Sequence, residues 1–194
     1  MIAPLPPGPF DVILADPPWR YVTFTPATVS SRAPENHYQT MRLADIRAMP
    51  VAASAAADCH LFMWTTAPFL EISLRVMRSW GFAYSSTAFV WVKMRAGYNA
   101  DQISAFGPLD KDVALGLGHT TRKQSELCLL GRRGSPSRQS KAIHEVIMAP
   151  LREHSRKPDE ARQRIEAYCG PTARRLELFA RSPAAGWTVW GNET

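Results

Sequence analysis

The 194-residue chain is long enough to bury the core of one ordinary globular domain, and its 45% hydrophobic content argues against wholesale disorder. Its 23 basic and 17 acidic residues give a net charge of +6, which would attract a polyanion such as nucleic acid. No apolar run approaches the roughly 18 residues that a membrane span needs, and nothing resembles a signal peptide. We therefore expect a single domain over residues 1–194, located in the cytoplasm and not in a membrane.

The first half of the chain alternates strand and helix patterns. A continuous apolar run at 10–15 predicts a buried strand, and the Ser-, Thr- and Pro-rich stretch that follows predicts a long loop. Thr40 is positioned to cap a short helix that Pro50 ends. A second buried strand is predicted at 60–64. After it, Pro68 opens a helix with Leu70, Leu74 and Met77 on one face and Gly81 at its end.

The second half continues the alternation. Four further stretches predict strands; in chain order they are TAFVWVK (87–93), SELCLLG (125–131), RLELFA (175–180) and WTVWG (187–191). AIHEVIM (142–148) is a possible fifth. A long loop is expected over 95–118, and a flexible basic stretch follows the strand at 125–131. KPDEARQRIEAYCG predicts a helix with Pro158 at its first position and Gly170 after its end. The pattern indicates an α/β domain with a largely parallel sheet.

The cysteines and histidines predict neither a disulfide framework nor a metal site. Cys59, Cys128 and Cys169 are odd in number and widely spaced, which is typical of buried thiols in a reducing compartment. The histidines show no metal-ligand spacing; they are His37, His60, His119, His144 and His154. We expect no bound metal.

The stretch ADPPW is the most informative short motif. Pro17 and Pro18 cannot continue a sheet ladder, so the first strand ends with Asp16 held in extended geometry. The Asp16 carboxylate and the Pro17 carbonyl could accept the two N–H bonds of a nucleobase amine and make its nitrogen more nucleophilic. Trp19 would offer a flat face to an unstacked base. The alternative is a simple turn with the tryptophan folded onto the core.

Several ordered motifs together resemble one known family. They are ADPPW, HYQTM, FVWVK, GLGHTTR, ELCLLG, HSRKPDE, LELFAR and WTVWGNE, which extend from about residue 10 to residue 193. With them the chain resembles the adenine-N6 methyltransferases, which include the catalytic subunit of the eukaryotic messenger-RNA methyltransferase and many bacterial and phage proteins. The resemblance implies a Rossmann-like S-adenosylmethionine-dependent methyltransferase fold, with a mostly parallel sheet, helices on both faces and a circularly permuted motif order.

The resemblance also implies roles for individual residues. Asp16, Pro17, Pro18 and Trp19 would form the catalytic loop, and Tyr38 of HYQTM would lie with Trp19 beside the target base. The cofactor S-adenosylmethionine would be bound by Asp16, Lys157, Glu177, Arg181, Asn192 and Glu193. A carboxylate inside a strand, Glu126, needs a partner, for which we expect Lys157.

Two departures from the family bear on cofactor binding. Longer members carry an acidic motif upstream of ADPPW that binds the cofactor's amino group, and MIAPLPPGPF does not resemble it. Asp11 cannot replace that motif, because five strand residues separate it from Asp16 by about 16 Å. The hypothesis is that the chain binds the cofactor weakly alone, or requires nucleic acid, a second copy or a partner subunit. The segment after Arg181 also lacks the polar ribose contacts of the eukaryotic enzyme.

The substrate implied is nucleic acid with an extruded or single-stranded adenine. Phosphate contacts are expected from Arg132 and Arg133 above all; the other candidates are Arg20, Arg32, Arg122, Lys123, Arg138 and Lys141. DNA is favoured by the compact size of the bacterial and phage relatives, and RNA stays an alternative. The main rival function is a non-catalytic, nucleic-acid-binding partner subunit with the same fold. Phosphotransfer and dinucleotide chemistry lack their glycine motifs.

Overall fold

The computed structural model describes residues 4–19, 41–98, 112–114, 121–152 and 156–191. Within these ranges seven strands form one sheet; they are β1 (Phe10–Ala15), β2 (Ala55–Thr65), β3 (Ala83–Met94), β4 (Ser125–Arg133), β5 (Val146–Pro150), β6 (Arg175–Leu178) and β7 (Thr188–Trp190). The helices of the same ranges are α1 (Leu43–Ala48), α2 (Val51–Ser54), α3 (Leu70–Ser79) and α4 (Asp159–Cys169), with a 3₁₀ turn at Ala67–Phe69 before α3. None of these helices is long and apolar enough to cross a membrane.

The sheet has the order β5-β3-β4-β2-β1-β6-β7 and is mostly parallel. Only β4 runs against its neighbours β2 and β3, and the other four pairings are parallel. From β1 the chain continues to β2 on one side, whereas β6 lies on the other side of β1 and continues to β7. The ends of β1 and β6 therefore form a topological switch point, where open α/β sheets bind their ligands.

Helices cover both faces of the sheet, as the resemblance implies. Ile46 of α1, Val51 of α2 and Met77 of α3 are buried in one core cluster with Ile13 and Leu61 from the strands. On the opposite face, Ala161 and Ile165 of α4 pack in a second cluster that includes Leu14, Phe62 and Trp64. Successive residues of β1 thus point into different cores, because side chains alternate along a strand. The predicted α/β architecture is confirmed.

The element boundaries differ from the predictions at several ends. α1 begins after Arg42, not at a cap from Thr40, and its first turn is supported by the Arg42–Asp45 ion pair at 2.8 Å. Pro158 is the residue before α4, not its first residue. β2 and β3 extend beyond their predicted apolar cores. Pairing with β4 holds the exposed start of β3 in the ladder, whereas Ala55 at the start of β2 pairs with Phe10 of β1. The loop predicted after ADPPW lies outside the described residues.

Candidate active site

The ADPPW motif ends β1 at the switch point. Ala15 is the last residue paired with its neighbours, Met63 of β2 and Leu178 of β6. The backbone N–H of Trp19 donates to the Pro17 carbonyl at 2.8 Å, and the N–H of Met41 donates to the Pro18 carbonyl at 3.1 Å. These bonds turn the chain sharply after Asp16. A carbonyl oxygen has a second lone pair, so Pro17 retains one for a ligand.

The expectation of an exposed Trp19 is wrong for this structure. Trp19 is only 6% exposed, and its ring stacks on Phe69 with centroids 5.7 Å apart. Its indole N–H is buried and has no hydrogen-bond partner within the described ranges. The simple-turn alternative is thus right about the tryptophan: the prolines reverse the chain, and the large apolar ring then gains more from the core than from solvent. Trp19 offers no free face to a base in this conformation.

Asp16 belongs to a cluster of four ionised side chains, which we call the ionic cluster: Asp16, Lys93, Glu126 and Lys157. The Lys157 ammonium lies 2.7 Å from Asp16 Oδ2 and 3.2 Å from Glu126 Oε2. The Lys93 ammonium lies 2.5 Å from Glu126 Oε1. The expected Glu126–Lys157 pair is confirmed. Two acids and two bases alternate, so each charge has an opposite neighbour.

The elements explain why these groups meet. Asp16 follows β1, Glu126 is the second residue of the antiparallel β4, and Lys93 is near the end of β3, so all three lie at the carboxyl edge of the parallel strands. Lys157 is placed there by the segment that leads into α4. Its ammonium also lies 5.7 Å from the Trp64 ring centroid. The cluster is partly open to solvent, since the exposed side-chain fractions are 27% for Asp16 and 15% for Lys157.

Burial and pairing shift the pKa values of the cluster in different directions. Burial raises the pKa of Asp16 above its ordinary value, although Lys157 opposes the shift. Burial also acts to raise the pKa of Glu126, but Lys157 and Lys93 outweigh it and the net shift is downward. For Lys157 burial favours the neutral amine, yet the two carboxylates overcome it and its pKa is raised. Burial therefore prevails at Asp16, whereas pairing with the two lysines prevails at Glu126.

Of the two residues expected at the cofactor from β6 and the segment after it, Arg181 lies near Asp16, whereas Glu177 is engaged with α4. Arg181 follows β6 and lies close enough to Asp16 to lower the pKa of that carboxyl. Glu177 in β6 instead pairs with Arg162 of α4, whose Nε and Nη2 lie 2.8 Å and 2.9 Å from its two oxygens. Both carboxylate oxygens of Glu177 thus have a strong partner already. Its position secures α4 to the sheet, so a cofactor contact would have to share or displace Arg162.

The arginines expected to contact phosphate lie at the edge of the sheet opposite Asp16. Arg132 and Arg133 pair with His60 and Cys59, whereas the Asp16 edge is marked by the pairing of Thr65 with Leu127. Five strand residues separate the two levels, about 16 Å. Arg133 also donates to the Ala52 carbonyl at 2.6 Å. The sequence did not indicate this position, because distance along the chain does not show that β4 runs antiparallel.

Three predicted site residues, Tyr38, Asn192 and Glu193, lie outside the described residues. Two features of the site were missed. Lys93 was quoted within FVWVK, but only the sheet register brings its ammonium to Glu126. Phe179, directly after β6, has φ = 62°, a left-handed conformation that is strained for a bulky residue. Its ring packs edge-on against Trp190 with centroids 5.6 Å apart.

The donor set of the site fits the methionine end of S-adenosylmethionine. That end is a zwitterion, with one ammonium and one carboxylate. The switch point offers charges of both signs: the Asp16 carboxylate suits the ammonium, and Lys157 or Arg181 suits the carboxylate. The aromatic residues Phe179 and Trp190 lie at the carboxyl ends of β6 and β7, on the same edge of the sheet. The set has no three His, Cys, Asp or Glu groups disposed to hold a metal, within the residues that the structure describes.

Comparison with known proteins agrees with these features. The MT-A70 family profile matches residues 10–193. The chain is 30% identical to the Type II methyltransferase M.MunI of Mycoplasma sp, over 97% of this chain and 79% of that protein. It is 32% identical to an N(6)-adenosine-methyltransferase MT-A70-like protein of Arabidopsis thaliana, over 96% of this chain but 24% of that protein. The N6-methyladenosine RNA methyltransferase MTA1 of Cryphonectria parasitica is 31% identical, over 95% of this chain and 51% of its own length.

Proposed function

Since the chain belongs to the MT-A70 family of adenine-N6 methyltransferases, which use S-adenosylmethionine, we propose that it methylates adenine within nucleic acid, with DNA as the preferred substrate. The observation that carries the proposal is the Asp16 carboxylate held 2.7 Å from Lys157 at the switch point. A fixed, charged acceptor at that place is the group that amine methylation requires.

Asp16 and Pro17 would bind the adenine amine. The amine is a weak nucleophile, because its lone pair is delocalised into the ring. The Asp16 carboxylate would accept one N–H and the free lone pair of the Pro17 carbonyl the other. Both acceptors pull electron density toward the nitrogen and turn its lone pair out of the ring plane. Because they are set before the substrate arrives, no reorganisation energy is spent in the reaction.

Lys157 would keep Asp16 charged and oriented. Its ammonium opposes the effect of burial on the Asp16 pKa and so favours the ionised carboxylate. When bound, S-adenosylmethionine supplies an electrophilic methyl group on a sulfonium. The alkylated amine is acidic and releases its proton readily, so the residues need not include a strong base. The Asp16 carboxylate, which would already accept an N–H of the amine, would be an acceptor for that proton.

The preference for DNA rests on size. The chain covers 79% of the compact Mycoplasma type II methyltransferase, but only 51% of the relative whose name specifies RNA. Adenine inside a duplex hides its amine, so the base must be extruded or single-stranded, and unstacking costs a few kcal/mol. A mismatched or single-stranded adenine should therefore be methylated faster than a paired one.

The proposal is tested by transfer of a labelled methyl group to DNA, RNA and free adenine. We expect incorporation into the N6 position of adenine in DNA, less into RNA, and none with Asp16→Ala. Asp11→Ala is the matched control, since it removes a carboxylate from the other end of the same strand. Equal transfer by Asp16→Ala and the native chain would refute the mechanism. Nucleic-acid binding without transfer to any substrate would favour the partner-subunit function.

Cofactor affinity provides a separate test. Asp11 is engaged with Arg174, whose Nη2 lies 2.9 Å from Asp11 Oδ1, so it does not substitute for the upstream acidic motif of longer family members. We expect weak binding of S-adenosylmethionine by the chain alone, strengthened by an adenine-containing oligonucleotide. Isothermal titration with and without the oligonucleotide measures this. Tight binding by the isolated monomer would contradict the expectation.

A further inference from the structure

The carboxyl edge of the sheet carries exposed basic side chains beside the ionic cluster. Arg95 follows β3, Arg122 and Lys123 precede β4, Arg152 follows β5, and Arg156 directly precedes Lys157. We call these five residues the basic rim. All five are exposed.

Backbone hydrogen bonds tie the rim segments to one edge. The N–H of Leu151 donates to the Met94 carbonyl at 3.0 Å, and the N–H of Lys93 donates to the Gln124 carbonyl at 2.8 Å. The chain after β5, the end of β3 and the chain before β4 are therefore neighbours. Since β4 runs antiparallel, its beginning lies beside the end of β3, which in turn pairs with β5. The rim is continuous in space although it comes from three distant parts of the sequence.

Arg95, Arg122 and Lys123 of the rim lie on one side of Asp16 only. In the strand order, β5, β3 and β4 precede β2 and β1, while β6 and β7 lie beyond β1. From β5 to β1 there are four strand spacings, about 19 Å at roughly 4.8 Å each. At the duplex spacing of about 3.4 Å per nucleotide that span corresponds to about five phosphates, and a more extended single strand places fewer there. The aromatic pair Phe179 and Trp190 occupies the other side.

Asp159 orients the two rim arginines next to Lys157. It contacts three guanidinium groups: it forms an ion pair with Arg152, lies 3.6 Å from Arg156 and lies 3.4 Å from Arg162. Arg162 also binds Glu177. Oriented guanidinium groups suit the oxygens of phosphate.

We propose that the basic rim binds the phosphate backbone of a single nucleic-acid strand and leads it across β5, β3 and β4 to the target adenine at Asp16. This inference rests on the proposed function and assigns a side to each ligand: the strand lies over the β5 half, and the cofactor over the β6 half. It replaces Arg132 and Arg133, at the opposite edge, as the phosphate contacts nearest to the reaction.

The test compares two triple variants that remove the same charge from opposite edges. The rim variant combines Arg95→Gln, Arg122→Gln and Lys123→Gln; the amino-edge variant combines Arg132→Gln, Arg138→Gln and Lys141→Gln. Binding of a fluorescent single-stranded deoxyoligonucleotide with one adenine is measured by anisotropy at several salt concentrations. We expect the rim variant to raise Kd about tenfold or more. Its slope of log K against log salt should be shallower by about 2, because each lost phosphate contact removes about 0.7.

The amino-edge variant should keep the native slope within experimental error. A second rim variant, Arg152→Gln with Arg156→Gln, should make the slope shallower by about 1.4. Thermal unfolding checks that every variant is folded. The proposal is overturned if the rim variants keep the native Kd and slope, or if the amino-edge variant weakens binding as much. Methyl transfer by the native chain is measured in parallel. Its absence would remove the proposed function, whereas the anisotropy data decide on the rim by themselves.

Discussion

The two edges of the sheet carry ionised groups in contrasting arrangements. At the amino edge two carboxylates are satisfied locally: Asp11 binds Arg174, and Asp58 accepts the Ser135 N–H at 2.7 Å. At the carboxyl edge, Asp16 and Glu126 share Lys157, and Glu126 also holds Lys93. The first pattern holds loops onto the sheet. In the second pattern the charge state of one group depends on its neighbours.

This contrast identifies the reactive edge more firmly than charge alone. Both edges are basic, so net charge does not distinguish them. Shared, partly buried charges cost free energy to assemble, and this cost is unnecessary for stability because apolar residues would pack as well. Such a cluster at a switch point indicates function. The four predictions below test that difference between the edges.

The largest effect is expected from the two aspartates at opposite ends of β1. Asp16→Asn keeps the shape of the side chain but removes the negative charge, so methyl transfer should fall by about 10²–10³-fold, as for other preorganised electrostatic groups. Asp11→Asn should stay close to the native rate, because its carboxylate serves Arg174 at the amino edge. Single-turnover kinetics with saturating cofactor measures both. Similar rates of methyl transfer by the two variants would mean that the two edges of the sheet do not differ in their role in the reaction.

The next effect concerns Lys157 and pH. Lys157→Met should slow transfer near pH 7 by about 10–100-fold, because a hydrogen bond to a charged group contributes about 1.5–3 kcal/mol. The Lys157 ammonium lowers the Asp16 pKa, so without it that pKa rises further. The acid limb of the rate profile should move to higher pH, since Asp16 must be ionised to accept the amine. Lys141→Met is the exposed control, and an unmoved acid limb in Lys157→Met would contradict the coupling.

A smaller effect is expected from the ion pair that fastens α4. Arg162→Met removes two hydrogen bonds to the half-buried Glu177 and should lower the free energy of unfolding by about 1.5–3 kcal/mol. Arg75→Met breaks an exposed i,i+4 pair with Glu71 and should cost less than about 1 kcal/mol. Urea denaturation of both variants gives the comparison. Equal losses would mean that Glu177 is not held by Arg162 in solution.

The smallest effect is a pH dependence of stability at the amino edge. Burial lowers the pKa of His60 to about 4, and its ring is packed between Phe62 and Tyr168. The contribution of neutral His60 to the free energy of unfolding is therefore fully present above pH 6.5, the pKa of histidine in the unfolded chain, and is lost as pH falls toward 4. At pH 5 the loss is about 2 kcal/mol. His60→Phe should remove this dependence of the free energy of unfolding on pH between pH 7 and 5. His144→Phe, at an exposed position, should leave the dependence unchanged.

Much of this protein could be predicted from its sequence, because local rules decide those parts. Continuous apolar runs identified the strands, and Pro17 and Pro18 had to end β1 wherever it lay in the sheet. Ordered motifs indicated the methyltransferase fold and the Glu126–Lys157 pair. These inferences use backbone sterics, side-chain polarity and motif order, all of which can be read from the residues themselves.

The tertiary structure decided which residues share an edge. Arg132 and Glu126 lie in the same strand, yet the antiparallel course of β4 puts only Glu126 beside Asp16. Lys93 joins the cluster through the register of β3, and Trp19 packs on Phe69 because the turn directs it inward. Strand direction, register and side-chain packing arise from contacts between distant segments, and the distance between two residues along the chain does not contain them.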